Sequence, residues 1–253
     1  MLTIALNAFR EAVRDRVLYN LVLFVLLITA AAVFLGELTA GQEARTIVNL
    51  GLSSMLLFGA FIAIFVGVSL VSKEIERRTV YSIFSKPIGR GEFVVGKYLG
   101  LCLTLLVNVL VMGVGVSLAL VAVGGGSLAG SIWGAILLIF FELTILTAVA
   151  VLFSSFSSPA LSALLTFLVF IIGNFSASLN EFAANLGSRG AQIFFGVIYY
   201  LLPNLAHYSF VANAAHGDFP PASMIGAAIV YAVVYVAILL VITIIVFSRR
   251  NFK

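Results

Sequence analysis

Charged residues are scarce in this 253-residue chain, where Asp, Glu, Lys and Arg together make up only 9% of the sequence. A soluble domain averages about 25% charged residues, so this scarcity excludes an ordinary globular protein. It also excludes a disordered chain, which needs high charge and low hydrophobicity. The hydrophobic share is 62%, and a bilayer core takes about 20 apolar residues per helix. The composition therefore predicts an all-α membrane protein with several crossing helices.

Metal-ligating side chains are also few. The single cysteine, Cys102, has no second cysteine with which to form an internal disulfide. Zinc and iron–sulfur sites need several ligands, and the chain adds only His207 and His216. We expect no metal site and no cofactor in this chain. The separation of the two histidines favours positions at the membrane interface over a metal or haem site.

Six apolar runs are long enough to cross a bilayer. The first run is not typical of a cleaved signal peptide, because Glu11 and Asp15 precede it and it continues past three alanines to Leu35. We therefore expect a retained first span and six transmembrane helices in all. Their expected bounds are residues 17–35, 50–72, 99–123, 132–153, 160–179 and 224–247.

The basic residues set the expected orientation. With six spans and a cytoplasmic N-terminus, only Arg45 and Arg189 lie on the outer side, and the other twelve basic residues lie inside. Cytoplasmic loops carry an excess of Lys and Arg. The distribution therefore predicts that both termini are cytoplasmic.

A shorter apolar run precedes the last expected span. Ile193–Leu202 has only ten residues, and Pro203 and Asn204 interrupt it. A run of this length is more typical of a re-entrant or interfacial segment than of a span. We expect residues 181–222 to form a partly inserted, re-entrant helical region at the outer face.

Residues 1–16 have the pattern of an amphipathic helix that lies in the membrane interface. Apolar side chains recur at helical spacing, with charged side chains on the other faces. A helix that docks onto a partner is compatible with the same pattern. The residues that we assign to this interface helix are Phe9, Arg10 and Arg14.

The segment between the second and third expected spans, residues 73–98, contains nine of the 24 charged residues. Its first half has the pattern of a short amphipathic helix, and Pro87 and Gly89 end it. Its charges could simply hold the topology, or the helix could dock into a cytoplasmic partner. Aromatic and arginine side chains favour docking. The candidate coupling residues are Glu74, Glu76, Arg77, Arg78, Thr79, Tyr81, Phe84, Pro87 and Arg90.

This loop resembles that of ABC-2 type transporter permeases, which shows Glu-x-Glu-x-(Gly/Arg)-Thr, then Pro-x-x-Arg, then an acidic residue and Gly-Lys. The opening Asn7–Glu11 and the turn Phe153–Pro159 are also similar to the family's. Within this family, the chain resembles the branch of small permeases that includes the nitrous-oxide-reductase maturation permease. The positions that carry the loop motif are Glu74, Glu76, Arg78, Thr79, Pro87, Arg90, Glu92, Gly96 and Lys97.

The resemblance implies a multi-pass permease in the cell inner (plasma) membrane, as a homodimer or a pair of related permeases. Two cytoplasmic ABC ATPase subunits would bind ATP and Mg²⁺ and drive alternating access through a coupling helix in residues 73–98. The permease itself would then have no enzymatic activity. The chain departs from the family motif at Arg78, where many relatives have glycine. Membrane lipid is an expected partner, and nucleic acid is not.

A second motif, at Gly91–Tyr98, matches Gly-x4-Gly-Lys but ends in tyrosine instead of Ser or Thr. A phosphate-binding loop needs that hydroxyl for Mg²⁺ and a preceding strand. We therefore expect no nucleotide site in this chain.

Glu142 is a carboxylate in the middle of the fourth expected span, and an intramembrane acid is a functional-site hypothesis by default. It could contact a cationic substrate, carry a proton or only form a structural hydrogen bond. With Asn108 and Asn174 it forms our candidate substrate path, and the few polar groups in the spans favour lipophilic or amphipathic cargo. The alternative functions are a passive channel, a membrane anchor of an assembly complex or an intramembrane enzyme.

Overall fold

The computed structural model describes residues 2–12, 42–76, 89–176 and 189–249, and also residues 23, 24, 27, 28, 31 and 34. All regular secondary structure in these residues is helical. Eight α-helices with continuous bounds lie in this part of the chain, and short 3-10 turns at Gly126–Leu128 and Leu205–Tyr208 join some of them. The helices are α1 (Leu2–Ala12), α2 (Glu43–Glu76), α3 (Arg90–Ala122), α4 (Ile132–Ser154), α5 (Pro159–Asn174), α6 (Arg189–Leu201), α7 (Val211–Ala215) and α8 (Ala222–Arg249).

Four of these helices, α2, α3, α4 and α8, are long and apolar enough to cross a membrane. An α-helix satisfies its own backbone hydrogen bonds, which a spanning segment needs in hydrocarbon. Helix α5 is apolar but has only 16 residues. It begins one residue before the expected span 160–179 and ends at Asn174. The expected span 17–35 lies mostly outside the described residues, so four of the six expected spans have a long helix here.

Helices α2 and α3 extend beyond the apolar runs from which their spans were predicted. Helix α2 begins at Glu43 and continues to Glu76, and α3 begins at Arg90. Backbone hydrogen bonding continues a helix past the hydrocarbon, where charged side chains are solvated. Residues 73–76 and 90–98, which the sequence assigned to a loop, are therefore helical continuations of α2 and α3.

Helix α4 is the centre of the described bundle. It is apolar on all sides, and it packs against α2, α3, α5 and α8. Glycines on α2 let it approach closely: a Cβ at Gly59 would overlap Leu143, and one at Gly67 would lie 3.0 Å from the Cβ of Ala150. Helices in membranes associate through such small residues. The position of α4 thus fixes the helices around it.

Helix α1 lies against the first turns of α3. A Cβ at Gly100 would lie 2.5 Å from the carbonyl oxygen of Ala5 and 2.6 Å from the Cβ of Ala8. Near this contact, Lys97 Nζ is 3.3 Å from Glu11 Oε2 in an ion pair. The missing side chain at position 100 is what allows the two helices to touch.

After α6, the chain runs back along α8 toward the first residue of α8. Helix α6 ends at Leu201, whose carbonyl oxygen accepts a hydrogen bond from Tyr235 Oη at 3.1 Å. Tyr235 lies about 20 Å along α8 from its first residue, at 1.5 Å per residue. The chain then passes through the second 3-10 turn and α7, and Pro220 packs on Gly134 at the start of α4. Residues 201–221 therefore run back beside α8 toward its first residue.

The contact at Gly100 gives a test of how α1 is held. We expect Gly100→Ala to lower the free energy of unfolding by about 1–3 kcal/mol, since the added methyl would overpack against backbone atoms of α1. Gly226→Ala on α8 is the matched control, because no atom lies within 4 Å of a Cβ there. Thermal unfolding in detergent measures both variants. Equal stability of the two would contradict the close packing of α1 on α3.

Candidate functional site

Most buried hydroxyl groups in the described helices are satisfied within their own helix. Thr104, Thr147 and Thr243 each donate to the carbonyl oxygen four residues earlier, at 2.7–2.9 Å. Such back-bonding leaves no free donor for a ligand. The polar groups that bond between helices are therefore the informative ones.

Glu142 and Asn174 form such a bond between α4 and α5. Asn174 Nδ2 donates to Glu142 Oε1 at 2.9 Å and also to the carbonyl oxygen of Phe170 at 3.1 Å. The carboxyl group is buried, with 1% of the residue exposed. The structure thus brings together two of the three residues that the sequence placed on a substrate path.

Asn108, the third of these residues, is separate from that pair. Its Nδ2 donates to the carbonyl oxygen of Thr104 at 2.7 Å. Its Oδ1 is buried and has no hydrogen-bond partner. No hydrogen bond joins it to Glu142 or Asn174, so the described residues do not connect the three into one path.

Asn204, at the break after α6, is the centre of a larger network. Its backbone N–H donates to Tyr231 Oη at 3.0 Å, and its Nδ2 donates to Tyr199 Oη at 3.3 Å. Ser176 Oγ donates to Asn204 Oδ1 at 2.6 Å. The sequence marked Pro203 and Asn204 only as an interruption of an apolar run. The tyrosines at helical spacing on α8 were the signal that could have found this network.

Tyr208 lies beside this network, with its ring centroid 6.4 Å from that of Tyr231. Its Oη donates to the carbonyl oxygen of Ala228 at 2.8 Å, and its side chain is buried. Burial raises the pKa of the Tyr208 phenol, and the nearby Tyr231 and Glu142 add to the rise. The phenol therefore stays neutral and serves as a hydrogen-bond donor.

A cavity of about 370 Å³ lies beside Tyr208, between the second 3-10 turn and α8. Its wall is almost entirely apolar or aromatic, which is typical of small-molecule sites. His207 and Ala227 are exposed, so the cavity reaches the surface of the described chain. The lining residues are His207, Tyr208, Met224, Ala227, Ala228 and Tyr231.

The two histidines have separate environments. His207 packs edge-on against Tyr231, with ring centroids 6.4 Å apart. His216 Nδ1 donates to the carbonyl oxygen of Ala212 at 2.8 Å. Among the described residues, no group of three His, Cys, Asp or Glu side chains could hold a metal ion.

The candidate coupling residues lie at the ends of two long helices or outside the described residues. Glu74 and Glu76 belong to the last turn of α2, and Arg90 is the first residue of α3. The interface-helix residue Phe9 is half-buried and Arg10 is exposed. The candidate residues that lie outside the described part of the chain are Arg14, Arg77, Arg78, Thr79, Tyr81, Phe84 and Pro87.

The Gly-x4-Gly-Lys string at residues 91–97 is part of α3. A phosphate-binding loop needs backbone N–H groups that are free to face the phosphates. Here Phe93 N–H already donates to the carbonyl oxygen of Gly89 at 3.1 Å, and Lys97 pairs with Glu11. The string therefore forms the first turns of α3.

The bond between Glu142 and Asn174 can be tested by removing its donor. We expect Asn174→Leu to lower the free energy of unfolding by about 1–3 kcal/mol, because a buried carboxyl group loses its partner. Glu142→Gln is the matched control, since its side-chain oxygen still accepts from Asn174, and its loss should be smaller. Denaturant unfolding in detergent measures both. An Asn174→Leu variant that is more stable than Glu142→Gln would contradict this pairing.

Comparison with known proteins identifies the family to which the chain belongs. The profile described as ABC-2 family transporter protein matches residues 2–252, which is nearly the whole chain. No curated protein matches the sequence. The match agrees with the several apolar helices, although it does not select a branch of the family. Members of this family work in general with an ABC ATPase and are typically non-enzymatic membrane components. The chain therefore belongs to the ABC-2 transporter family and is a transmembrane permease.

Proposed function

We propose that this chain is the permease subunit of an ABC transporter, and that a separate cytoplasmic ATPase drives it by alternating access. The observation that carries the proposal is the family match over residues 2–252. The two helices that flank the motif-bearing segment are both long and continuous. ATP and Mg²⁺ would be bound by the partner, because the nucleotide-like string of this chain is helical.

The coupling segment would act through α2 and α3. Both helices pack on α4, and they also pack on each other, where a Cβ at Gly51 would lie 2.9 Å from Val116. Close-packed helices move as units and switch between discrete arrangements. A push on residues 77–89 by the ATPase would therefore tilt α2 and α3 against α4. The charged and aromatic residues from Glu74 to Arg90 would make the contact.

Helix α1 would move together with α3. The close approach at Gly100 and the ion pair between Lys97 and Glu11 attach α1 near the start of α3. Arg10 is exposed on the same helix, where it would contact lipid headgroups or the ATPase.

The assembly would contain two permease copies and two ATPase subunits in the cell inner membrane. The charge distribution supports cytoplasmic termini, because twelve of the 14 basic residues then lie inside. Residues 189–221 would form the re-entrant region at the outer side. The return of the chain along α8, from Leu201 beside Tyr235 to Pro220 beside Gly134, supports this placement.

Charge reversal in the coupling segment tests this function. We expect Glu76→Arg and Arg77→Glu to reduce permease-stimulated ATP hydrolysis to the level of the ATPase alone, because each reverses a charge at the proposed contact. The measurement is ATPase activity of the reconstituted complex, with permease expression followed by immunoblot. Arg45→Glu is the matched control, since Arg45 is exposed at the opposite end of α2.

Normal stimulated hydrolysis in the Glu76 and Arg77 variants would refute the proposed coupling site. The composition of the complex tests the function more broadly. A stoichiometric ATPase that purifies with the chain supports the permease assignment. Its absence would favour a passive channel or a membrane anchor.

A further inference from the structure

We propose that α8 is a lever that transmits the push of the ATPase from α3 to residues 201–208, with Phe247 as the positioning residue at its driven end. This inference rests on the proposed function, because it concerns how a push on residues 77–89 spreads through the permease. Three observations support it: an aromatic contact between α3 and one end of α8, an unbroken helix beyond that contact, and hydrogen bonds from α8 to residues 201–208.

The end of α8 that carries Phe247 packs on the first turn of α3. The rings of Phe93 and Phe247 are stacked, with centroids 6.0 Å apart and planes 23° apart, and both residues are buried. One turn earlier on α8, Ile244 Cδ1 would lie 3.6 Å from a Cβ at Gly91. Arg90, the first residue of α3, directly follows the segment that the ATPase would push. Since close-packed side chains are hardly compressible, a movement of this turn would carry the end of α8 with it.

Helix α8 has the properties of a rigid rod. It contains neither glycine nor proline between Tyr231 and Phe247, and sharp kinks in helices arise mostly at these residue types. This stretch is about 24 Å long at 1.5 Å per residue. Of the four long helices, α8 is also the least enclosed, with a row of exposed valine and isoleucine side chains along one face. A displacement at Phe247 would therefore reach Tyr231 without bending the helix.

The other half of α8 is attached to residues 201–208 by tyrosine hydroxyl groups. Tyr235 Oη donates to the carbonyl oxygen of Leu201 at 3.1 Å. Tyr231 Oη accepts from the backbone N–H of Asn204 at 3.0 Å. Both bonds engage the backbone of the segment, so a displaced α8 would displace the segment as well.

The same segment covers the end of α5. A Cβ at Gly173 would lie 2.8 Å from the carbonyl oxygen of Pro203, which shows how closely the two backbones approach. Ser176 is buried, and its Oγ donates to Asn204 Oδ1 at 2.6 Å. Movement of residues 201–208 away from α5 would break this bond and expose Ser176. The lever thus connects the coupling segment to a contact whose opening can be measured.

A thiol at position 176 tests the proposal. Ser176→Cys is introduced into a Cys102→Ala chain, so that its thiol is the only one in the permease. The complex with its ATPase is treated with N-ethylmaleimide, and the labelling rate of the permease is measured without nucleotide and with ADP and vanadate trapped. We expect several-fold faster labelling in the trapped complex, because α8 would then uncover the end of α5. Stimulated ATP hydrolysis is measured on the same samples.

Substitutions at the two ends of the lever identify the route. Phe247→Ala should abolish the nucleotide-dependent increase in labelling while stimulated hydrolysis persists, since the coupling segment still meets the ATPase. Ile245→Ala, at an exposed position of the same turn, is the matched control. Tyr235→Phe keeps the ring but loses the hydrogen bond to the end of α6, so it should reduce the increase even if Phe247→Ala does not fold. Tyr200→Phe, at an exposed tyrosine, is its control.

An unchanged increase in Phe247→Ala or Tyr235→Phe, or its loss in either control, overturns the proposal. Equal labelling rates with and without trapped nucleotide in the parent chain overturn it as well, provided that hydrolysis is stimulated. If the parent chain does not stimulate hydrolysis, the proposed function fails and the lever fails with it. The two kinds of failure are therefore distinguishable in one set of samples.

Discussion

The packing of α4 among four other helices is the constraint on which the rest of the described structure depends. Its side chains are apolar on almost every face, so polarity does not choose between lipid and protein, and close packing with the surrounding helices determines its position. Gly59 and Gly67 of α2 leave room for side chains of α4 to pack against the backbone of α2. Glu142 is the one charged residue in this helix. The same packing that centres the bundle therefore encloses a carboxyl group within it.

The bond between Glu142 and Asn174 and the network around Asn204 lie in the same part of the fold. The end of α5 is common to both, since Asn174 donates to Glu142 and Ser176, two residues later, donates to Asn204. Buried polar networks are stabilising only when each member is satisfied, and a shift of one member affects the others. A movement of α8, which carries Tyr231, would thus act on this set of hydrogen bonds.

The sequence predicted the membrane class and four of the long helices, because long apolar runs leave little alternative in hydrocarbon. It identified Glu142 and Asn174 separately, but their pairing depends on how α4 and α5 are placed, which local pattern does not contain. Lys97 was assigned to a loop because the apolar run begins at Leu99, whereas helical hydrogen bonding starts at Arg90. The partners of Asn204 are up to 28 residues away in the chain, so no local pattern reveals them.

The attachment of α1 has a consequence for how deeply α3 sits in the bilayer. Helix α3 has 33 residues, or about 50 Å at 1.5 Å per residue, whereas the hydrocarbon core is about 30 Å thick. Such a helix could slide along the membrane normal by several Å without exposing its apolar part. An amphipathic helix stays at headgroup level, and α1 is fixed to Gly100. With α1 in the membrane interface, as the sequence predicts, the vertical position of α3 would be defined by a helix that does not itself need to cross.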